Sequence, residues 1–168
     1  MEASHDLSHR FKAESVARTL AIVGERWSLL ILREAFFGVR RYGQLARNLN
    51  IPRPTLSSRL KTLVENGLLE RIPYAVDPDR HEYRLTSAGR DLFAAIVTLM
   101  QWGDRHVPHP DGPPIMLRHK PCGELAQARL VCDQCGEEIT ARNVTPEPGP
   151  GFDGGRPQQP GAPSANSH

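Results

Sequence analysis

The chain has 168 residues, three cysteines and a formal net charge of +2 at pH 7, a length that supports one ordinary domain with a small appendage. The longest apolar stretch, residues 92–100, is about half as long as a membrane-spanning helix requires, and no basic segment followed by an apolar one opens the chain, so we expect neither a membrane anchor nor a signal peptide. The few cysteines suit a reducing cytoplasm better than a disulfide framework, which predicts a cytoplasmic protein.

Two helices are predicted after a polar N-terminus. Residues 1–13 carry no apolar pattern, and we expect them to be flexible. Apolar residues then recur at helical spacing over residues 14–23 and again over residues 25–37, with a glycine after each run. Because residues 29–32 make the second helix apolar nearly all round, we predict that it is the central core helix.

The pattern between residues 42 and 85 is typical of a winged helix-turn-helix. A short helix over residues 42–49 and a Pro-containing break precede a second helix over residues 53–66. Two alternating strands follow, joined by a loop that forms the wing at residues 74–81. In this fold the second helix enters the major groove of DNA and the wing reaches alongside, so the pattern predicts double-stranded DNA as the partner.

The candidate DNA-binding side chains lie opposite the predicted buried stripe of the second helix, which contains Leu56, Leu60 and Leu63. Six basic residues and no acidic residue occur between residues 38 and 64, and such a surface attracts phosphates by releasing counterions. The candidates are Tyr42, Gln44, Arg53, Thr55, Ser57, Ser58, Arg59, Lys61 and, on the wing, Arg80. We expect Thr55, Ser58 and Lys61 to meet base edges or phosphates, Arg53, Ser57 and Arg59 mainly to position the helix, and Arg80 to act from the wing. The alternative is an ordinary amphipathic surface helix.

A further helix is predicted over residues 87–106, with a Thr-Ser cap at its start. Its apolar residues cover more than half of its circumference, which is more than one small domain can bury. We therefore predict that part of this helix faces a second copy of the chain. The alternative is that the C-terminal segment folds back over it.

All three cysteines lie in residues 117–144, after a linker with four prolines at residues 108–116. His119, Cys122, Cys132 and Cys135 are spaced as H-x2-C-x9-C-x2-C, and a glycine follows Cys122 and Cys135, the last residue of each pair. Three cysteines and one histidine in two pairs predict a small zinc ribbon with a structural Zn²⁺ ion. The alternatives are a degenerate ribbon, a redox pair formed by Cys132 and Cys135, or cysteines that serve as small buried hydrophobes. Residues 145–168 are rich in Pro and Gly, and we expect them to be disordered.

The stretches 16–51, 55–71 and 82–92 resemble the HxlR-type winged-helix regulators of bacteria. The resemblance implies a homodimeric cytoplasmic transcription factor that dimerises through its first and last helices and reads palindromic sites. Members of this family that sense redox changes or aldehydes carry a cysteine just before the segment that begins here at Val16. Glu14 and Ser15 occupy those positions, so a thiol switch at the N-terminus is not available to this chain.

The predicted fold class is α+β and mostly α: a winged helix-turn-helix over residues 14–107 with a C-terminal zinc-ribbon-like β-hairpin extension. The predicted function is that of a homodimeric, sequence-specific DNA-binding transcriptional regulator, and not an enzyme. One alternative is a regulator whose cysteine cluster responds to metals or to thiol redox state; another is a winged helix that binds a protein partner. A thiol oxidoreductase is less favoured, because the C-x-x-C pair lacks the βαβ surroundings of thioredoxin-like sites. The sequence indicates no particular small-molecule effector.

Overall fold

The computed structural model describes residues 15–73, 81–147 and 150. In chain order its elements are α1 (Ser15–Val23), α2 (Arg26–Phe36), α3 (Tyr42–Leu49), α4 (Arg53–Glu65), β1 (Leu69–Pro73), β2 (His81–Leu85), α5 (Ser87–Asp91) and α6 (Phe93–His106). This order confirms a helix-rich α+β fold with a small sheet of two strands. Within these described ranges, no helix combines the length and the apolar character that crossing a membrane requires.

Helix α2 lies at the centre of the molecule, as the sequence predicts. It contacts α1, α3, α4, α6 and β2, and its residues Ile31 and Leu32 are fully buried. The buried apolar cluster consists of Val23, Ile31, Leu32, Leu45, Ile51, Leu56, Leu60, Leu63, Leu68, Leu69 and Ile96. A single core therefore joins both helices of the helix-turn-helix to the first strand of the wing.

A glycine ends α4 and starts the wing. Gly67 has a φ of 67°, which a residue without Cβ adopts at little cost. Its N–H donates to the Val64 carbonyl at 3.0 Å, and the N–H of Leu68 donates to the Leu63 carbonyl at 2.9 Å. These two bonds form a Schellman motif, which satisfies the last carbonyls of the helix and turns the chain directly into β1.

The wing strands pair in antiparallel register from Leu69 opposite Leu85 to Pro73 opposite His81. A third segment that the sequence pattern does not reveal pairs with β2. The N–H of Tyr83 donates to the Arg40 carbonyl at 2.8 Å, and Arg41 forms a bridge with Glu82. The base of the wing is thereby attached to the loop that precedes α3.

The predicted single helix over residues 87–106 is wrong, because the chain turns at Leu92 and forms α5 and α6 instead. Thr86 caps α5 by accepting the N–H of Gly89 at 3.0 Å. Gly89 packs so closely on the backbone of Leu68, the residue before β1, that a Cβ at this position would overlap the Leu68 carbonyl oxygen. The N–H of Leu92 then donates to the Gly89 carbonyl, a bond over three residues that tightens the turn between α5 and α6.

Three of the sequence predictions lie outside the described residues. They are the flexible N-terminus at residues 1–13, the wing loop at 74–80 with Arg80, and residues 148–149 and 151–168 of the predicted tail.

Candidate nucleic-acid interface and the cysteine segment

Helix α4 has one apolar side and one polar side. Leu56, Leu60 and Leu63 are buried, which confirms the predicted core stripe. Ser57, Ser58 and Lys61 are exposed, whereas Thr55 and Arg59 are half-buried. The polar side of α4 therefore presents hydroxyl groups and cations, which are the groups that bond to phosphates and base edges.

Tyr42 connects the two helices of the helix-turn-helix. Its hydroxyl donates to the Arg53 carbonyl at 2.9 Å and lies 3.1 Å from the Ser57 hydroxyl. This side chain of α3 therefore fixes the start of α4. The sequence groups Tyr42 with the DNA-binding residues, and the structure gives its hydroxyl a positioning role, while Gln44 is exposed on the same helix.

A buried carboxylate connects α3 to the central helix. Glu34 is only 8% exposed, and its side chain accepts the Asn48 amide at 2.8 Å and an Arg33 N–H at 2.8 Å. Burying a carboxylate is costly unless it is hydrogen-bonded, so these two donors stabilise the position of α3 on α2. The sequence interpretation missed this link, although an acidic residue inside an apolar helix could have indicated it.

The helix-turn-helix carries a set of exposed cations. Arg40, Arg47 and Arg53 are exposed, and the described part of the chain offers them no ion-pair partner. Lys61 lies 3.7 Å from Glu65, one helical turn away on an exposed surface. Such surface pairs contribute little free energy, so Lys61 remains available to an incoming phosphate.

The base of the wing holds a second cationic group. Arg71 of β1 contacts the Nδ1 atom of His81 across the hairpin at 3.0 Å. Arg80, the wing residue that the sequence favours, lies outside the described residues. Arg71 was not among the sequence candidates, because strand alternation gives no sign of which cross-strand neighbour it meets.

One side of α6 is covered by the C-terminal segment, as the alternative prediction had it. Residues 113, 115–117 and 125–127 line a pocket of about 270 Å³ with Val97 and Met100 of α6. In the amide orientation that satisfies both of its groups, Gln101 accepts from the N–H of Ala128 at 2.8 Å and donates to its carbonyl at 3.2 Å. Other apolar side chains remain exposed, namely Phe93, Leu99 and Trp102 on α6 and Val16 and Leu20 on α1.

The four predicted zinc ligands lie in two pairs. His119 Nδ1 is 3.3 Å from Cys122 Sγ, and all three cysteines are free thiols. The backbone N–H of Gln134 lowers the pKa of the Cys132 thiol, with smaller contributions from the N–H and the side chain of Cys135. Within residues 15–73 and 81–147, no group of three or more His, Cys, Asp or Glu side chains is close enough to hold one metal ion. The predicted β-hairpin of the ribbon is present only as two isolated bridges, Arg118 with Leu125 and Val131 with Glu138.

Comparison with known proteins identifies the family. Residues 22–111 match the HxlR-like helix-turn-helix family. The chain belongs to this family. The HxlR-like chain is 76% identical over 150 residues to the uncharacterized HTH-type transcriptional regulator Rv3095 of Mycobacterium tuberculosis, an alignment that covers 89% of this chain and 95% of that protein.

Solved structures agree with this assignment. PA1607, a candidate transcription factor, is 32% identical with a TM-score of 0.73, and the match covers 83% of this chain and 98% of that one. A second candidate transcription factor, PA1374 of Pseudomonas aeruginosa, is 34% identical with a TM-score of 0.57 and covers 81% and 92% of the two chains. The HxlR-like chain is thus a helix-turn-helix transcriptional regulator of the winged-helix type, and it is not an enzyme. The alternative of a thiol oxidoreductase finds no support among these relatives.

Proposed function

We propose that this HxlR-like chain regulates transcription as a homodimer that binds a specific DNA sequence. One observation carries the proposal: the polar side of α4 stands free while its apolar side is held in the core that also anchors the wing. An element that enters the major groove must be exposed along one side and fixed along the other. Helix α4 meets both requirements.

Each α4 side chain has a role that follows from its position. Thr55, Ser58 and Lys61 would meet base edges or phosphates in the major groove, because their side chains are short hydroxyls or a flexible cation. Arg53, Ser57 and Arg59 would position the helix through contacts with phosphates. Arg80 would act from the wing, on the backbone or in the minor groove. The bound dimer would then occlude a promoter or recruit other factors to it.

The DNA-binding experiment begins with selection of bound duplexes from a random pool, followed by affinity measurements on the enriched sequence at several salt concentrations. We predict that Arg59→Ala combined with Lys61→Ala weakens binding to every sequence. Each lost phosphate contact removes about 0.9 from the slope of log K against log salt, so the double variant should have a slope shallower by about 2.

The matched control is Arg129→Ala combined with Arg142→Ala, which removes the same charge from exposed positions outside α3 and α4. It should retain the affinity and the salt slope of the parent protein. A pool that shows no enrichment would contradict specific binding. An unchanged salt slope in the Arg59/Lys61 double variant would contradict the assignment of these residues.

Dimerisation is supported by apolar side chains that the described residues leave uncovered on α1 and α6. Leu99 and Trp102, three positions apart on α6, are 56% and 54% exposed. Exposed apolar side chains at neighbouring helical positions favour association, and paired half-sites in DNA call for a two-fold symmetric reader. The helices at the two ends of the winged-helix domain would form the interface.

A charge on this surface tests the dimer. Leu99→Glu should yield a monomer in sedimentation experiments and lose at least about tenfold in affinity for the selected duplex, because a buried unpaired carboxylate opposes association. Leu130→Glu is the control, since Leu130 is 60% exposed but lies in the cysteine segment. If Leu99→Glu remains dimeric, the interface lies elsewhere.

A further inference from the structure

The cysteine segment, residues 117–144, contains two turns with the same sequence pattern. The first turn spans residues 119–124 and reads H-K-P-C-G-E; the second spans residues 132–137 and reads C-D-Q-C-G-E. A residue with a metal-binding side chain opens each turn, a cysteine follows three positions later, and glycine and glutamate complete it. His119 thus occupies in the first turn the position that Cys132 occupies in the second.

The backbone hydrogen bonds of the two turns match one for one. In the first turn the N–H of His119 donates to Glu124 and that of Gly123 donates to His119, at 2.9 and 2.8 Å. In the second turn the N–H of Cys132 donates to Glu137 and that of Gly136 donates to Cys132, both at 2.8 Å. Gly123 and Gly136 each have a φ of 75°, a conformation that side chains with a Cβ rarely adopt.

The match continues outside the turns. The N–H of Ala126 donates to the Leu117 carbonyl, and the N–H of Ile139 donates to the Leu130 carbonyl, each at 2.8 Å. A bridge closes each turn at its ends. Most of the residues next to these shared positions differ between the two turns. The common backbone path is therefore explained by what the turns share: a metal-binding side chain at the first position, the cysteine three positions later and the glycine after it.

In the first turn the two metal-binding side chains are directed toward each other. Nδ1 of His119 and Sγ of Cys122 are 3.3 Å apart. With Zn–N near about 2.0 Å and Zn–S near about 2.3 Å in a tetrahedral site, two such ligands of one zinc ion lie roughly 3.5 Å apart. The first turn therefore holds its ligand pair close to the spacing that one ion requires, and the second turn repeats its backbone.

We propose that one Zn²⁺ ion binds His119, Cys122, Cys132 and Cys135. The described structure has these ligands as two pairs rather than one group, so zinc binding brings the two turns together. Three thiol protons pass to solvent as three thiolates bind, and the imidazole binds in its neutral form. Four protein ligands complete the tetrahedral shell, which makes the site structural and leaves no position for a catalytic water.

The segment needs such a crosslink because it has no core of its own. None of the residues 117–144 is buried, and only Leu117 and Cys132 are even partly shielded from solvent. A segment of this size gains too little from apolar burial to offset its ordering entropy. Zinc supplies the missing free energy in small domains of this type.

Zinc binding would also attach the segment to α6. Leu117 and Leu125 flank the first turn, and both line the pocket that the segment forms with Val97 and Met100 of α6. Closing the turn around a metal ion therefore fixes the apolar side chains that cover this side of the helix.

The test uses the full chain, purified without oxygen and without chelator, with zinc measured by elemental analysis and native mass spectrometry. We expect one zinc ion per chain. In competition with a chromophoric chelator, His119→Ala, Cys122→Ser and Cys135→Ser should each weaken zinc binding by at least about tenfold. His109→Ala, a histidine change in the preceding linker, should leave zinc binding unchanged. Cobalt(II) in place of zinc should give the absorption of a tetrahedral thiolate site, which Cys122→Ser alters.

Helical circular dichroism of every variant shows whether the winged-helix domain is folded, so a loss of zinc can be assigned to the ligand itself. Three outcomes would overturn the proposal. One is a protein that contains no zinc and binds none when one equivalent is supplied. Another is a disulfide between Cys132 and Cys135 in the protein kept free of oxygen. The third is zinc binding that depends on Cys135 but not on His119 or Cys122, since it would confine the metal to the second turn.

Discussion

The winged-helix part, α1 to α6, and the cysteine segment, residues 117–144, are ordered by different means. In the winged-helix part, buried side chains such as Ile31, Leu56 and Leu60 form one core beneath the helices and the wing. In the cysteine segment no side chain is buried, and order comes from backbone hydrogen bonds in two matching turns. Apolar spacing therefore specifies the first part of the molecule, whereas the spacing of potential metal ligands and glycines specifies the second.

The largest effect is expected from a cavity in the core. Leu60→Ala removes a side chain that is 1% exposed, and we predict that it lowers the free energy of unfolding by about 2–5 kcal/mol in denaturant titrations. The same change at Leu130, which is 60% exposed, should alter stability by less than about 0.5 kcal/mol. Equal effects at the two positions would mean that the cysteine segment shares the core of the winged-helix part.

A smaller loss of stability is expected where α5 meets the backbone of Leu68, the residue before β1. Gly89→Ala places a Cβ against the Leu68 carbonyl oxygen, and the backbone must shift to accommodate it. Overpacking of this kind costs about 1–3 kcal/mol, which thermal unfolding would detect as a lower Tm. An unchanged Tm would show that α5 is not fixed at this contact.

The smallest expected effect is an increase in stability. Gly103 lies inside α6, and a Cβ there would meet nothing within 4 Å. Alanine loses less conformational entropy in a helix than glycine, so Gly103→Ala should raise stability by about 0.5–1 kcal/mol. This variant is a matched control for Gly89→Ala, and destabilisation by both would point to helix geometry rather than to the contact with Leu68.

The sequence predicts the helices of the winged-helix part closely, because the side chains that they bury must recur at helical spacing along the chain. The predicted first helix of the helix-turn-helix, residues 42–49, coincides with α3, and the predicted second helix ends one residue beyond α4. The central place of α2 also follows from composition, since a helix that is apolar nearly all round must be surrounded.

The spacing of apolar residues in the sequence does not reveal features that depend on single tertiary contacts. The break at Leu92 interrupts an apolar period that continues on both sides of it. The bridge from Arg41 to Glu82 involves one residue pair, too few for alternation to appear. The hydrogen bond from Asn48 to Glu34 and that from Tyr42 to Arg53 join residues whose proximity exists only after the helices pack.

Hydrogen–deuterium exchange of the full chain, measured with zinc and after its removal by a chelator, tests the central comparison most directly. We predict that zinc removal raises exchange at residues 117–144 and on the side of α6 that lines the pocket, while α2, α3 and α4 remain as protected as before. Loss of protection in those three helices would contradict the separation of the two parts. Unchanged exchange throughout the cysteine segment would contradict its dependence on a metal ion.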